Sequence, residues 1–304
     1  MKKIASILFI IIFIWTTGCA DASTKEASIE YSIYLGGSDL AGITADETKS
    51  SILKVAGNIR GLPADCDFSF VHNFAPDNIN APQSKSFTIN GKSYQLSYVR
   101  STESSLANSS NEALKKYGRL DVYSTSDFDF EFSQDSGEFR FYGDYETDYL
   151  AEGNFTAEEA IAASQSVLTE LFGAKCFEYY DTPPTVSNSV TQTSNIFVVT
   201  YRKYIEGYRT RDFIQLRYNK QGVLVCINAK SYGIMESVID RYSATQFQSA
   251  EKFITDYLDS ISCDYDRDSI TLEINSNGEC YFELYGTYSI GDEYRMRAFY
   301  VNVD

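Results

Sequence analysis

Apolar positions recur at helical spacing in three stretches of the chain, and the same short motif introduces each stretch. A serine or threonine comes first and a glutamate or glutamine follows three residues later, the pattern of a capping box that satisfies the first free amides of a helix. The apolar residues that follow predict one buried helix face. The first stretch is the least regular and runs to Ile59. The motifs are Thr44 with Glu47, Thr156 with Glu159, and Ser243 with Gln246.

A β-hairpin pattern follows each predicted helix. Two strand-like runs flank a polar turn, and the turn glycine stands ten positions after an aspartate that opens the first run. A cysteine lies between each helix and its hairpin. The hairpins are Asp127 to Gly137, Asp212 to Gly222 and Asp268 to Gly278, and the cysteines are Cys66, Cys176 and Cys263. The shared order of cap, helix, cysteine and hairpin predicts three copies of one unit.

This order predicts an α+β fold of tandem units, in each of which one helix packs on a three- to four-stranded antiparallel sheet. The predicted organisation is a signal peptide at 1–18, a tether and lead-in at 19–42, an elaborated first unit at 43–150, a second unit at 151–235 and a third unit at 236–304.

The second unit carries a recognisable motif. Tyr201, Tyr204 and Gly207 form the pattern Tyr-x-x-Tyr-x-x-Gly, and a strand-like run and the turn glycine Gly222 follow. This order resembles PepSY-like domains, the small α+β modules of peptidase propeptides and extracytoplasmic bacterial lipoproteins. The third unit is more loosely similar, and the first lacks the motif. The resemblance implies a PepSY/cystatin-like fold and an inhibitory or protein-binding role, as in anchored regulators of Gram-positive cell-wall histidine kinases.

The N-terminus carries the signals of an exported protein. Two lysines precede an apolar run over 4–15, which is short for a membrane span, and small residues follow. Gly18-Cys19 resembles the lipobox of bacterial lipoproteins, although Thr16 stands where that family has leucine. The resemblance implies cleavage before Cys19, a lipid on its thiol, and a location at the cell membrane on the extracytoplasmic face. The alternative is an uncleaved N-terminal anchor.

Charge narrows the range of partners. Without residues 1–18 the chain carries 24 basic and 42 acidic side chains, a net charge of −18. Nucleic acids and anionic lipid headgroups favour clustered lysine and arginine, so this balance argues against both as partners. Aromatic residues make up 15% of the chain, and they favour strands.

Groups for catalysis are few. His72 is the only histidine, which excludes two-histidine metal sites, and no nucleophile elbow, phosphate loop or dinucleotide motif occurs. Cys66 stands six residues before His72, a spacing that would put both on one face of a strand; a packing role shared with the other post-helix cysteines is the alternative. The run 264–268 has the alternate acidic spacing of a calcium loop, but Ser269 and Asn275 replace the glycine and glutamate it needs. We predict a protein that is not an enzyme, with no metal or cofactor.

Five cysteines remain if Cys19 carries a lipid, and five cannot all pair within one chain. We expect buried free thiols with at most one disulfide, for which Cys263 and Cys280 are the first pair to test.

One segment combines aromatic and basic residues in this acidic chain. Tyrosine and arginine are favoured at protein interfaces, so we predict that an envelope peptide or protein binds here. The predicted partner-binding residues are Tyr201, Tyr204, Tyr208 and Arg209. The alternative for Tyr201 is a place in the core of the sheet.

These features predict a lipid-anchored extracytoplasmic binding or regulatory protein that restrains an envelope protease or sensor kinase. The alternative hypothesis is an envelope hydrolase or carbohydrate-binding protein with a carboxylate-lined cleft. Such a cleft would bring together carboxylates that are distant in sequence.

Overall fold

The computed structural model describes residues 31–36, 59–89, 91–125, 129–133, 139–142, 150–178, 180–230, 239–290 and 293–303. These ranges fall within one compact unit, Tyr31–Asp304. The predicted signal peptide, Cys19 and most of the first predicted helix lie outside them. No helix in the described ranges combines the length and apolar character needed to cross a membrane.

Strands dominate the described part of the chain, with three α-helices, and the predicted α+β class is confirmed. The helices are α1 (Glu112–Lys115), α2 (Ala157–Phe172) and α3 (Ala244–Ser260). The strands are β1 (Ile33–Gly36), β2 (Ile59–Gly61), β3 (Asn73–Ala75), β4 (Ser84–Ile89), β5 (Lys92–Glu103), β6 (Arg119–Ser124), β7 (Asp129–Ser133), β8 (Phe139–Tyr142), β9 (Thr185–Val190), β10 (Asn195–Ile205), β11 (Tyr208–Asn219), β12 (Leu224–Lys230), β13 (Asp264–Tyr265), β14 (Thr271–Ile274), β15 (Cys280–Ile290) and β16 (Glu293–Asn302).

These strands form one mixed sheet. Its main path runs β2-β1-β16-β15-β14-β11-β12-β8-β7-β6-β5-β3, while β10 and β9 extend from β11, β4 pairs with β5, and β13 pairs with β15. The pairs β1–β2 and β11–β14 are parallel, and the other strand pairs are antiparallel. Hydrogen bonding crosses the predicted unit borders at β8–β12 and β11–β14. The sheet is therefore continuous where the sequence predicts separate sheets.

The helix α2 begins as its motif predicts. The Thr156 hydroxyl accepts the Glu159 amide at 3.2 Å, and the Glu159 carboxylate accepts the Thr156 amide at 2.8 Å. Its inner face packs on β10, β11 and β12, where Val199, Leu216 and Ile227 are fully buried. The capping box and the amphipathic helix of the second unit are confirmed.

The helix α3 has the same kind of start, since Ser243 and Gln246 also form a capping box. Its buried face joins a core with β14, β15 and β16. That core also contains Phe70, Leu106 and Leu114 from the predicted first unit. The first and third predicted units thus share one hydrophobic core.

All three predicted hairpins are confirmed at the level of strand pairing. The pairs are β7–β8, β11–β12 and β14–β15. Gly222 and Gly278 have φ of 80° and 83°, the left-handed backbone that glycine adopts without steric cost. One boundary is wrong, because Ile59, placed by spacing in the first helix, lies in β2 and pairs with Ile33.

An ion cluster joins β11 to β14 and β15. The Nη2 of Arg211 donates to both carboxylate oxygens of Glu283 at 2.6 and 2.7 Å, and its Nε pairs with Glu273. The hydroxyl of Tyr300 donates to Glu283 as well. Burial by itself would lower the pKa of Arg211, but the two carboxylates outweigh burial and raise it. One guanidinium therefore holds two buried acidic side chains together.

The five cysteines of the described ranges are free, as expected, and Cys263 and Cys280, the first pair to test for a disulfide, do not form one. Burial raises the pKa of Cys176, Cys226 and Cys263 to about 11 in each case. These thiols are protected from reaction in two ways. Reagents cannot reach them, and they stay protonated, whereas the thiolate is the reactive form.

We expect Arg211→Met to lower the free energy of unfolding by about 3 kcal/mol. This is the low end of the cost of breaking a buried ion pair, because 34% of the arginine side chain is exposed. Urea denaturation measures the change. The matched control is Arg267→Met, whose exposed guanidinium also binds a glutamate; the loss of stability should be clearly smaller, because water and salt screen an exposed ion pair. Equal losses for the two variants would contradict a structural role for the cluster.

We expect every cysteine of the native protein except Cys66 to react slowly at pH 8 with a thiol reagent that releases a chromophore. In urea all of these thiols should react quickly. Absorbance of the released chromophore in a Cys19→Ser variant measures this. A Cys66→Ala change should remove the fast native phase, because Cys66 is only half-buried. A second fast thiol that persists after that change would show that the core thiols are accessible.

Candidate functional site

The hairpin that connects β10 to β11 places the predicted binding residues at its tip. Its two central residues, Glu206 and Gly207, have φ of 51° and 86°. Positive values at both positions are typical of a type I′ turn, whose twist matches that of the flanking strands. Ile205 pairs with Tyr208 directly beside the turn, and Tyr204 pairs with Arg209 one position farther from it.

The tip lies beside a groove of about 380 Å³, which we call the tip groove. One wall is the hairpin, and the other comes from α3 and the short turn after β13. Three of the four predicted partner-binding residues line it, although none of them was predicted to meet α3. The lining residues are Tyr204, Gly207, Tyr208, Arg209, Glu251, Arg267, Asp268 and Ile270.

Tyr201 does not belong to this surface. Its side chain is fully buried, its hydroxyl lies 2.7 Å from the Ser164 hydroxyl, and its ring packs against Phe177 at 5.5 Å. Burial raises the pKa of its phenol. The prediction that Tyr201 contacts a partner is therefore corrected: it anchors α2 to the sheet, as the alternative proposed.

Tyr208 and Arg267 hold Glu251 at the base of the tip groove. The Tyr208 hydroxyl donates to Glu251 Oε2 at 2.7 Å, and Arg267 donates to Oε1 from Nε at 2.8 Å and from Nη2 at 2.6 Å. The Tyr208 ring lies 4.6 Å from that of Phe282. Burial, together with the Glu251 carboxylate, raises the pKa of Tyr208. The base of the groove is thus both packed and hydrogen-bonded.

Arg209 and Tyr204 also line the tip groove, but neither takes part in the hydrogen bonds that hold Glu251. Arg209 is half-buried, and its Nε is shielded from solvent with no hydrogen bond to the described residues. Tyr204 is exposed beside it. Arginine binds carboxylates through two parallel hydrogen bonds, so Arg209 can hold an acidic group of a ligand.

Sequence reasoning missed Glu251 and Arg267. Glu251 stands four residues after Phe247 and three before Ile254, so it lies on the apolar face of α3. A carboxylate on a buried helix face was the signal that could have identified it. No local pattern relates Glu251 to Tyr208, which comes 43 residues earlier.

The hypothetical Cys66–His72 pair is not assembled. Cys66 packs with Phe68 and Tyr281, whereas His72 lines a different groove to which Cys66 does not contribute. Burial raises the pKa of the Cys66 thiol, the reverse of the change that activates a nucleophile. Among the described residues, no three His, Cys, Asp or Glu side chains are grouped so that they could hold a metal ion.

Glu273 and Glu283 are the carboxylate pair to compare with the alternative hypothesis, a hydrolase or carbohydrate-binding protein with a carboxylate-lined cleft. Both are almost fully buried, and Arg211 holds both of them. Neither lines the tip groove. Their arrangement suits a structural ion cluster, because a catalytic pair must reach a substrate from both sides of the bond that breaks.

No family model and no curated protein matches this chain. Among solved structures, the chain is similar to the Bacillus megaterium YpeB C-terminal domain, with 12% sequence identity and a TM-score of 0.28. The similarity covers 86% of this chain and 92% of that one. A superposition this loose carries no argument about the site, so the functional conclusion depends on the chain's own residues.

Proposed function

We propose that this protein is a lipid-anchored, extracytoplasmic, non-catalytic binding protein built from three PepSY-like α+β units. In this proposal the tip groove holds a peptide or protein segment, and the bound partner is an envelope protease or sensor kinase that the protein restrains. The observation that carries the proposal is the convergence of Tyr204, Tyr208 and Arg209 on one groove with Glu251 and Arg267.

The chemistry of the tip groove supports binding. Tyrosine and arginine contribute a large share of the binding energy at protein interfaces, since they combine apolar area with directional hydrogen bonds. Tyr204 supplies an exposed ring and Arg209 a guanidinium whose Nε has no hydrogen bond to the described residues. An acidic side chain of a partner would complete that hydrogen bond.

The carboxylates of the tip groove fit binding better than catalysis. A general base needs an oxygen that is free to accept a proton from the substrate. Both oxygens of Glu251 already accept hydrogen bonds, from Tyr208 and Arg267. The other carboxylate, Asp268, is exposed to solvent. These contacts support a preformed recognition surface in which Glu251 orients its neighbours.

We expect a photo-crosslinking phenylalanine analogue at position 204 to capture a discrete envelope protein in living cells. Arg209→Ala in the same chain should abolish the product, because the guanidinium holds the partner. Gel shift and mass spectrometry measure the outcome. The control places the analogue at position 294, since Tyr294 is 81% exposed and lies outside the groove. The same products from both positions, or none from 204, would refute the proposed site.

We expect Cys19→Ser to move the protein from the membrane fraction to the soluble or secreted fraction, because the lipid supplies the anchor. Fractionation and immunoblotting measure this, with Cys66→Ser as the control that stays at the membrane. Retention of the Cys19→Ser chain at the membrane would favour the uncleaved N-terminal anchor instead.

A further inference from the structure

A second groove, of about 480 Å³, lies beside strand β3; we call it the edge groove. Residues 69–74 line it together with Arg100 and Thr102 of β5, the strand that pairs with β3. None of these eight lining residues is acidic, although the chain has 42 acidic and 26 basic side chains. An acidic protein therefore has a groove with arginine and without carboxylates, which suits an anionic ligand.

Two polar atoms in the edge groove need hydrogen-bond partners. Arg100 Nε and Thr102 Oγ1 are shielded from solvent and make no hydrogen bond with the described residues. Thr102 is only 8% exposed. A buried polar group without a partner costs free energy, and such groups in native proteins are usually satisfied by protein, water or ligand. A carboxylate that binds beside Arg100 would accept hydrogen bonds from its guanidinium.

Local structure fixes the position of these groups. The register of β5 against β6 shifts between Tyr98 and Arg100, so the arginine stands directly beside an irregularity of the strand. The Arg100 guanidinium lies 5.6 Å from the ring of Phe74, within range of a cation–π contact. The arginine is thus held at the groove before any ligand binds.

Asp67 holds the start of the lining segment 69–74. Its Oδ1 accepts the amides of Ser69 and Phe70 at 3.0 and 3.3 Å, and its Oδ2 accepts the Ser105 hydroxyl at 2.9 Å. Phe70 has a φ of 46°, which is unusual for a bulky residue, and its side chain is buried in the core. Burial of that ring holds a strained backbone in the wall of the groove.

The strand beside the groove can accept another strand. β3 pairs with β5 on one side and ends the strand order, so within the described ranges its other side has no strand partner. Phe74 on this strand is 84% exposed, and Val71 just before it is also exposed. Open strand edges bind extended peptides through main-chain hydrogen bonds, while side-chain pockets give specificity.

We propose that the edge groove binds an extended acidic peptide segment as an added strand. The peptide backbone pairs with the free edge of β3, and one aspartate or glutamate accepts hydrogen bonds from the guanidinium of Arg100, which lies over the Phe74 ring of that strand. Apolar residues of the peptide pack on Phe74 and Val71. This site is separate from the tip groove and does not depend on its function.

The test measures fluorescence anisotropy of labelled nine-residue peptides with the full-length chain in detergent. The peptides are blocked at both ends, alternate valine with threonine, and carry a central aspartate or, in the matched peptide, asparagine. We expect the aspartate peptide to bind at least tenfold more tightly. In Arg100→Gln the ratio of the two affinities should fall close to one, and in Arg100→Lys it should be intermediate, because lysine keeps the charge without the planar fork.

Two controls locate the contact. Arg60→Gln, which removes a positive charge from an exposed arginine outside both grooves, should leave binding of the aspartate peptide unchanged. Backbone N-methylation of alternate peptide residues should abolish binding, because it removes the donors needed for strand pairing. Equal affinity of the two peptides for the native chain, or no binding of either, overturns the proposal. Displacement of the peptide by inorganic phosphate at equal concentration would show a small-anion site and would overturn it too.

Discussion

The ion cluster of Arg211, Glu273 and Glu283 fixes how the C-terminal half of the sheet is assembled. Two carboxylates with almost no exposure cannot remain ionised side by side without a cation between them. Arg211 can serve both only if β11 lies next to β14, with Arg209 opposite Thr271. The ion pairs of the cluster and the parallel hydrogen bonds between the two strands therefore both favour β14 as the neighbour of β11.

That strand pair also creates the tip groove. With β11 beside β14, the hairpin between β10 and β11 extends toward α3, and Tyr208 reaches both Phe282 and Glu251. The hairpin forms one wall of the groove, and α3 with the turn after β13 forms the other. The candidate site thus combines residues of the predicted second and third units, and it depends on the strand pair β11–β14 that joins them.

The tip groove and the edge groove share one chemical feature in a strongly acidic chain. Each contains an arginine whose Nε is shielded from solvent and makes no hydrogen bond to the described residues: Arg209 in the first, Arg100 in the second. The net charge of the chain repels an acidic partner at long range, and salt screens that repulsion. Recognition of acidic segments would then depend on short hydrogen bonds inside the grooves, which favours selectivity over fast capture.

The sequence alone determined the local elements. Capping boxes at Thr156 and Ser243 located two helices, because their hydrogen bonds join residues three positions apart. The turn glycines Gly222 and Gly278 located hairpins, because only a short loop and a left-handed residue are required. Alternation along β10 could also have separated buried Tyr201 from exposed Tyr204, since residues three apart on a strand point to opposite faces.

Only the tertiary structure decided which elements became neighbours. The pairing of β1 with β16, the shared core of Phe70 with α3, and the contact of Tyr208 with Glu251 join residues far apart in the chain. Periodicity shows which face of a helix or strand is apolar, but many partners could cover that face equally well. Strand pairing, core packing and the buried ion cluster together select one partner for each face. The free energies of these interactions depend on residues far apart in the chain, so a local stretch of sequence does not reveal them.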